Sequence, residues 1–265
     1  MKNNYKVFGQ GETVVLVHGS MGSKEQWRPL ATELSKEFQV VTFDLLGYGQ
    51  SPWPASPPSY CLADESQHLL FILDQIQSGD APYHLVGHSY GGAVALAHAC
   101  HFREHIKSLT LIEPMSYHLL PKDHPLLLGS QMMIQELTAD IEKGNAISAA
   151  RKFIDLWMAP GSFDRRGEQE QEILAKGVKK MVFDFYSAAS EPISPEDISD
   201  LTMPLCLITG KKSPPYSISI SEVVAEAVRQ RQLHHVEGGH FAPFTHGPSV
   251  NPHIAKFLHE CAQQT

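Results

Sequence analysis

The sequence predicts an α/β fold, a doubly wound and mostly parallel sheet wrapped around one helical insertion. Three observations point there. Short continuous apolar runs, such as Val14, Val15, Leu16 and Val17, read as strands buried on both faces. Helical spacings alternate with these runs over short connections. The alternation breaks once, between Pro114 and about Pro195, and then resumes.

Residues 14–17 are the first such strand and stop at His18-Gly19. Ser23 followed by Gln26 has the pattern of a capping box, and Trp27, Leu30 and Leu34 then recur at helical spacing. Residues 40–43 form the next strand, ending at Asp44, and a turn-rich segment runs from Gly47 to Pro58. A helix over 62–77 puts Leu69, Leu70, Leu73 and Ile76 on one face. A strand at 83–86 leads into a small-residue helix at 93–102, and a strand at 109–112 ends at Glu113-Pro114. The insertion carries Met132, Met133, Phe153, Trp157, Phe183 and Phe185 in helical patterns broken by Pro121, Pro160 and Gly161. Strand 205–209, helix 220–228, strand 232–236 and helix 250–261 complete the rhythm. In such sheets ligands sit beyond the carboxyl ends of the strands.

Composition excludes several function classes. With 265 residues, 42% of them hydrophobic, the chain buries a sizeable core. Twenty-one basic against 29 acidic residues give a net charge of −8, a poor match for nucleic acid or an anionic membrane. No stretch approaches the roughly 18 apolar residues of a membrane span. The start, from Met1 to Tyr5, lacks the apolar run of a secretory leader. Cys61, Cys100, Cys206 and Cys261 are scattered and read as reduced packing residues, so a cytoplasmic location is expected.

Strand 83–86 runs into Gly87-His88-Ser89-Tyr90-Gly91-Gly92 and then a helix. A serine on so sharp a turn is held in a strained conformation, and its neighbours two positions away must be very small. Gly87 and Gly91 meet that need, which makes Ser89 the candidate nucleophile. The Tyr90 amide then lies at a helix N-terminus, where unpaired N–H groups favour an anion. A tetrahedral oxyanion needs a second donor. The turn His18-Gly19-Ser20-Met21-Gly22 offers one, with the Ser20 amide first and Met21 second. His18 reads as a packing and hydrogen-bonding residue. His240, in Glu237-Gly238-Gly239-His240-Phe241 after the last strand, can reach Ser89 from above as the general base. His98, His101 and His105 read as a solvated face of one helix, so no metal site is expected.

Taken together, His18-Gly19, the turn from Asp44 to Ser51, the Gly87-to-Gly92 elbow and Gly239-His240 resemble the α/β-hydrolase superfamily, in its capped serine-hydrolase (esterase-like) branch. The resemblance implies a core of residues 1–113 and 196–265 and a helical cap, 114–195, inserted after the sixth strand. It implies Ser89 as nucleophile, His240 as base, the Ser20 and Tyr90 amides as oxyanion hole, and Asp44 as a turn-stabilising residue. It implies no cofactor. The family's usual acid position, after strand 205–209, holds Ser213 here, and no carboxylate follows until Glu222. Glu113 ends the preceding strand at the same sheet edge and is the replacement expected; Ser213→Ala should then matter little. Lys211 and Lys212 are a competing attraction for that carboxylate.

The function expected is hydrolysis of a small ester, thioester or lactone with an apolar acyl part, through an acyl-enzyme. Met21 and Trp157 are expected at the substrate, with Met132, Met133, Phe163, Phe183, Phe185 and Tyr186 as further wall candidates. Two alternatives share the fold: a meta-cleavage carbon–carbon bond hydrolase and a non-catalytic ligand-binding protein. Oligomeric state is not legible.

Overall fold

A computed structural model describes residues 4–76 and 81–263. The first three residues and the expected helix end at Gln77 lie outside them. In chain order the elements are β1 (Tyr5–Phe8), β2 (Glu12–Val17), α1 (Arg28–Leu34), β3 (Phe38–Phe43), α2 (Leu62–Gln75), β4 (Tyr83–His88), α3 (Tyr90–His101) and β5 (Ile106–Ile112). The insertion follows with α4 (Pro125–Glu142), α5 (Ala146–Trp157) and α6 (Glu168–Ala189), then α7 (Pro195–Ser199). β6 (Leu205–Gly210), α8 (Pro215–Ala227), β7 (Arg231–Val236), α9 (Ala242–Thr245) and α10 (Gly247–Ala262) close the chain.

The strands form one seven-stranded sheet in the order β1-β3-β2-β4-β5-β6-β7. All neighbours are parallel except β1, which runs antiparallel to β3. β1 is absent from the sequence reading because its burial is only partial, with Lys6 and Val7 exposed, so no continuous apolar run marks it. Its presence also sets the strand count. Among the described residues the insertion follows the fifth strand, not the sixth that the family resemblance implies.

Alternation along the parallel strands divides the core into two layers. Val15, Val17, Val41, Phe43 and Leu85 face α2, α3 and α8, together with the insertion. Val14, Leu16, Val40, Val86 and Ile208 face α1 and α10. β4 and β6 are buried along their whole length and β5 at every position but Lys107, as strands covered on both faces must be.

Two local readings change. Gln26 does not close a capping box on Ser23; its Oε1 instead accepts from the Gly19 N–H at 3.2 Å. The three histidines do not share a helix: α3 ends at His101, and His105 lies in a separate turn, Arg103–His105. His98 is not solvated but fully buried, 2.6 Å from the Tyr83 hydroxyl and stacked on Phe102. All four cysteines are free, and Cys61 is only half-buried.

Candidate active site

The elbow is built as sterics demand. Ser89 has φ 56° and ψ −122°, a conformation side chains rarely adopt. A Cβ on Gly87 would lie 2.3 Å from the Gly91 carbonyl oxygen, and one on Gly91 would lie 2.3 Å from the His18 carbonyl oxygen. Neither position accepts a side chain. The Ser89 N–H donates to the Ile112 carbonyl at 3.0 Å, and the Ser89 carbonyl accepts from the Met115 N–H at 3.0 Å. The strained turn is thereby fixed to the end of β5. Glu113 (φ 45°) and Met21 (φ 58°) are the other described non-glycine residues with positive φ, and both flank this elbow's surroundings.

The structure brings the three candidate catalytic side chains together. Ser89 Oγ lies 2.9 Å from His240 Nε2. His240 Nδ1 lies 2.7 Å from Glu113 Oε2. Burial would raise the Glu113 carboxyl. Hydrogen bonding and charge attraction from His240, with donors from Ser213 and Gly210, outweigh that and hold it at about 2. The other oxygen, Oε1, accepts from the Gly210 N–H at 2.6 Å and from the Ser213 hydroxyl. Ser213 is therefore not a bystander, a correction to the sequence reading: its hydroxyl bonds the Glu113 carboxylate at the end of the neighbouring strand. Lys211 pairs with Glu237 and does not compete for Glu113.

His88 is a participant that sequence reasoning missed. Its Nε2–H donates to the His240 carbonyl at 2.8 Å, and its Nδ1 accepts from Gln26 Nε2 at 3.1 Å. Burial, then the neighbouring His240, push it down to about 3, so it stays neutral while fixing the His240 loop. Histidine within the elbow motif was the available signal. His18 donates from Nδ1 to the Gly19 carbonyl and accepts at Nε2 from the Leu45 N–H at 3.0 Å. Asp44 binds the Lys24 and Gln50 amides at 2.8 and 3.0 Å, with the Lys24 ammonium at 2.6 Å, which fits a turn-holding role.

The Ser20 amide has no acceptor among the described residues, and Ser20 lines the cavity above Ser89. The Gly19 N–H is taken by Gln26, and the Gly22 N–H by the Gly19 carbonyl. Tyr90 opens α3, where the first N–H groups lack intrahelical acceptors.

The cavity holds about 590 Å³ of space between atoms, its mouth included. Met115, Tyr117, Met133, Phe153, Trp157 and Phe185 wall it, beside Ser89 and His240. The Trp157 ring packs 4.6 Å from that of His240. Met21, expected at the substrate, is not on this wall: its left-handed backbone turns the side chain toward Gly177 of α6. Met132 is 66% exposed, Tyr186 points outward, Phe163 is buried elsewhere, and Phe183 meets Trp53. Helix periodicity found the aromatic stretches but could not say which face turned inward.

A buried polar cluster beside the cavity was not legible either. Lys180, fully buried, places its ammonium on the Asp184 and Glu65 carboxyl groups and over the rings of Tyr48, Tyr60 and Tyr90. Burial raises Glu65, and the Lys180 charge opposes it. Burial, and then the nearby carboxylates, raise all three tyrosines well above the usual phenol range. Among the described residues, no group of three or more His, Cys, Asp or Glu is arranged to hold a metal ion. No helix of the described residues is long and apolar enough to cross a membrane.

The fold and this edge-of-sheet arrangement define an α/β-hydrolase. The family described as the alpha/beta hydrolase fold matches residues 12–247, and the chain belongs to it. Monoacylglycerol lipase abhd6-B of Xenopus laevis is 24% identical over 242 residues, 88% of this chain and 71% of that one. The cis-3-alkyl-4-alkyloxetan-2-one decarboxylase of Shewanella oneidensis is 30% identical over 164 residues, 61% of this chain and 51% of its own length. The enol-lactonase of Burkholderia xenovorans LB400 superposes with a TM-score of 0.78 at 15% identity, over 96% of this chain and 95% of that one. At that identity the likeness concerns the fold alone.

Proposed function

We propose that this protein is a serine hydrolase of small neutral esters, thioesters or lactones with an apolar acyl part. Ser89 Oγ attacks the carbonyl carbon while His240 Nε2 takes its proton, and the Ser20 and Tyr90 amides receive the oxyanion. The tetrahedral intermediate collapses as His240 returns that proton to the leaving oxygen or sulfur. Water then attacks the acyl-enzyme, giving a proton to His240, and Ser89 leaves with it. Glu113 stays ionised throughout, fixing the tautomer of His240 and stabilising its charged form. Residues 114–195 form the cap over this centre, and Trp157 contacts substrate.

The observation that carries this reading is the continuous run of contacts from Glu113 through His240 to Ser89, opening into a cavity with apolar walls. A preference for neutral substrates rests on the lining, which among the described residues includes no Lys or Arg to pair an anionic acyl group, the nearby Lys180 being held by Asp184 and Glu65. That is the feature distinguishing ester cleavage from carbon–carbon cleavage of a dienone acid by the same serine. The test compares p-nitrophenyl esters of increasing acyl length with a vinylogous diketone acid. The expected result is ester turnover that rises and then falls with chain length, and no appreciable dienone cleavage. Faster dienone cleavage, or none of either, contradicts the proposal.

A further inference from the structure

Lys180, Asp184 and Ser187 fall at i, i+4 and i+7 on α6, so they form one stripe on one side of that helix. All three are buried. The stripe meets both residues whose amides the proposed function gives to the oxyanion. Ser20 Oγ donates to Asp184 Oδ2 at 2.5 Å, and Tyr48 Oη donates to the same oxygen at 2.6 Å. The Tyr90 hydroxyl lies 2.9 Å from Ser187 Oγ and 2.7 Å from Tyr60 Oη. Lys180 Nζ donates to Tyr60 Oη at 2.8 Å and to Asp184 Oδ1, joining the two arms. Ser20 comes from the loop after β2 and Tyr90 from the start of α3, yet both side chains end on the same helix of the insertion.

We infer that Asp184 and Ser187 on α6 are positioning residues that hold the Ser20 and Tyr90 amides where an oxyanion can use both. This rests on the serine-hydrolase reading. Oxyanion donors work only when aimed within a few tenths of an ångström of 2.7–3.1 Å from the developing charge. The Ser20 side needs outside support, because the next residue, Met21, has a positive φ that the surroundings must impose. A hydroxyl bonded to a carboxylate supplies it, being charge-assisted and partly shielded from water. Moving the Ser20 arm takes one of the two hydroxyl donors from Asp184 Oδ2, and moving the Tyr90 arm breaks its bond to Ser187, so each movement costs a hydrogen bond. The insertion thus does more than wall the cavity: its seating and the alignment of the two amides are one event.

The test measures Ser20→Ala, Ser20→Thr, Tyr90→Phe, Asp184→Asn and the Ser20→Ala/Asp184→Asn double variant with the best p-nitrophenyl ester. A fluorophosphonate first counts titratable Ser89 in each protein, and the affinity of a matching trifluoromethyl ketone is measured alongside. Ser20→Ala and Tyr90→Phe should each lower kcat per titrated site by about tenfold, the equivalent of one lost charged or buried hydrogen bond. KM should stay within about threefold, and the ketone should weaken by the same factor as kcat/KM. Ser20→Thr, which keeps the hydroxyl, should restore kcat, and the double variant should be no slower than its slower parent. Full titration with unchanged kcat and ketone affinity in Ser20→Ala and Tyr90→Phe, whatever happens to Tm, overturns the inference. Additive losses in the double variant overturn the link through Asp184. A wild-type protein that does not titrate at Ser89 removes the hydrolase reading itself and this inference with it, a failure that is visible before any variant is made.

Discussion

Replacing Glu113 by Gln keeps size and shape, so the local hydrogen bonds decide its effect. Glu113 Oε1 accepts from the Gly210 N–H and the Ser213 hydroxyl, while Oε2 faces His240 Nδ1. In the variant the amide oxygen takes the place beside the Gly210 N–H, because an NH₂ there would meet another donor at a cost of about 1–3 kcal/mol. The NH₂ group is then aimed at His240 Nδ1 and favours the tautomer with its proton on Nε2. That nitrogen faces Ser89 at 2.9 Å and can no longer accept the serine proton. Loss of the acid in comparable triads slows turnover by about 10⁴, and a fall of about 10³–10⁴ is expected here, about 4–5 kcal/mol in the barrier. The assay is burst and steady-state release of p-nitrophenolate, normalised to titratable Ser89. A variant whose kcat stays within threefold of wild type refutes the assignment of Glu113.

Other expectations follow from the same geometry. Ser213→Ala removes one hydroxyl donor from an ionised carboxylate and should lower kcat by about tenfold, measured in the same assay, with no loss of titratable serine. Gly87→Ala puts a methyl 2.3 Å from the Gly91 carbonyl oxygen, so a urea-unfolding midpoint should drop by the equivalent of more than about 2 kcal/mol. A small change there would mean that the elbow is looser than described. Burial, the largest cause for each, lowers His18 to about 4 and both His88 and His98 to about 3, from an ordinary 6.5. The unfolded chain then binds more protons than the native one as pH falls from 6.5 toward 3. Stability should decline through that window by on the order of 1 kcal/mol per pH unit for each group. Glu113 adds its own decline only below 4.5, toward about 2. Melting curves between pH 7.5 and 4.5 check this, and His98→Gln should flatten the slope; a Tm independent of pH above 5 contradicts it.

What could be read from the sequence was what short-range patterns encode. Buried parallel strands announce themselves as apolar runs, and the glycines around Ser89 mark a turn with no room for side chains. The position of Glu113 at a strand end was legible because strand ends share one sheet edge. Contacts between distant segments were not. Lys180 reads locally as a polar residue in an amphipathic helix, and only the packing of α6 on Tyr48, Tyr60 and Tyr90 makes it a buried cation. Ser213 looked like a lost acid because the sequence does not reveal that its hydroxyl meets Glu113. Met21 was misplaced because a positive φ at a non-glycine residue leaves no mark in the sequence.

The most direct measurement is covalent: treat the protein with a fluorophosphonate, digest it, and locate the adduct by mass spectrometry. The account predicts one adduct, on the Ser89 hydroxyl, absent in Ser89→Ala and formed far more slowly in His240→Ala. An unmodified Ser89, or modification that survives Ser89→Ala at full rate, contradicts it.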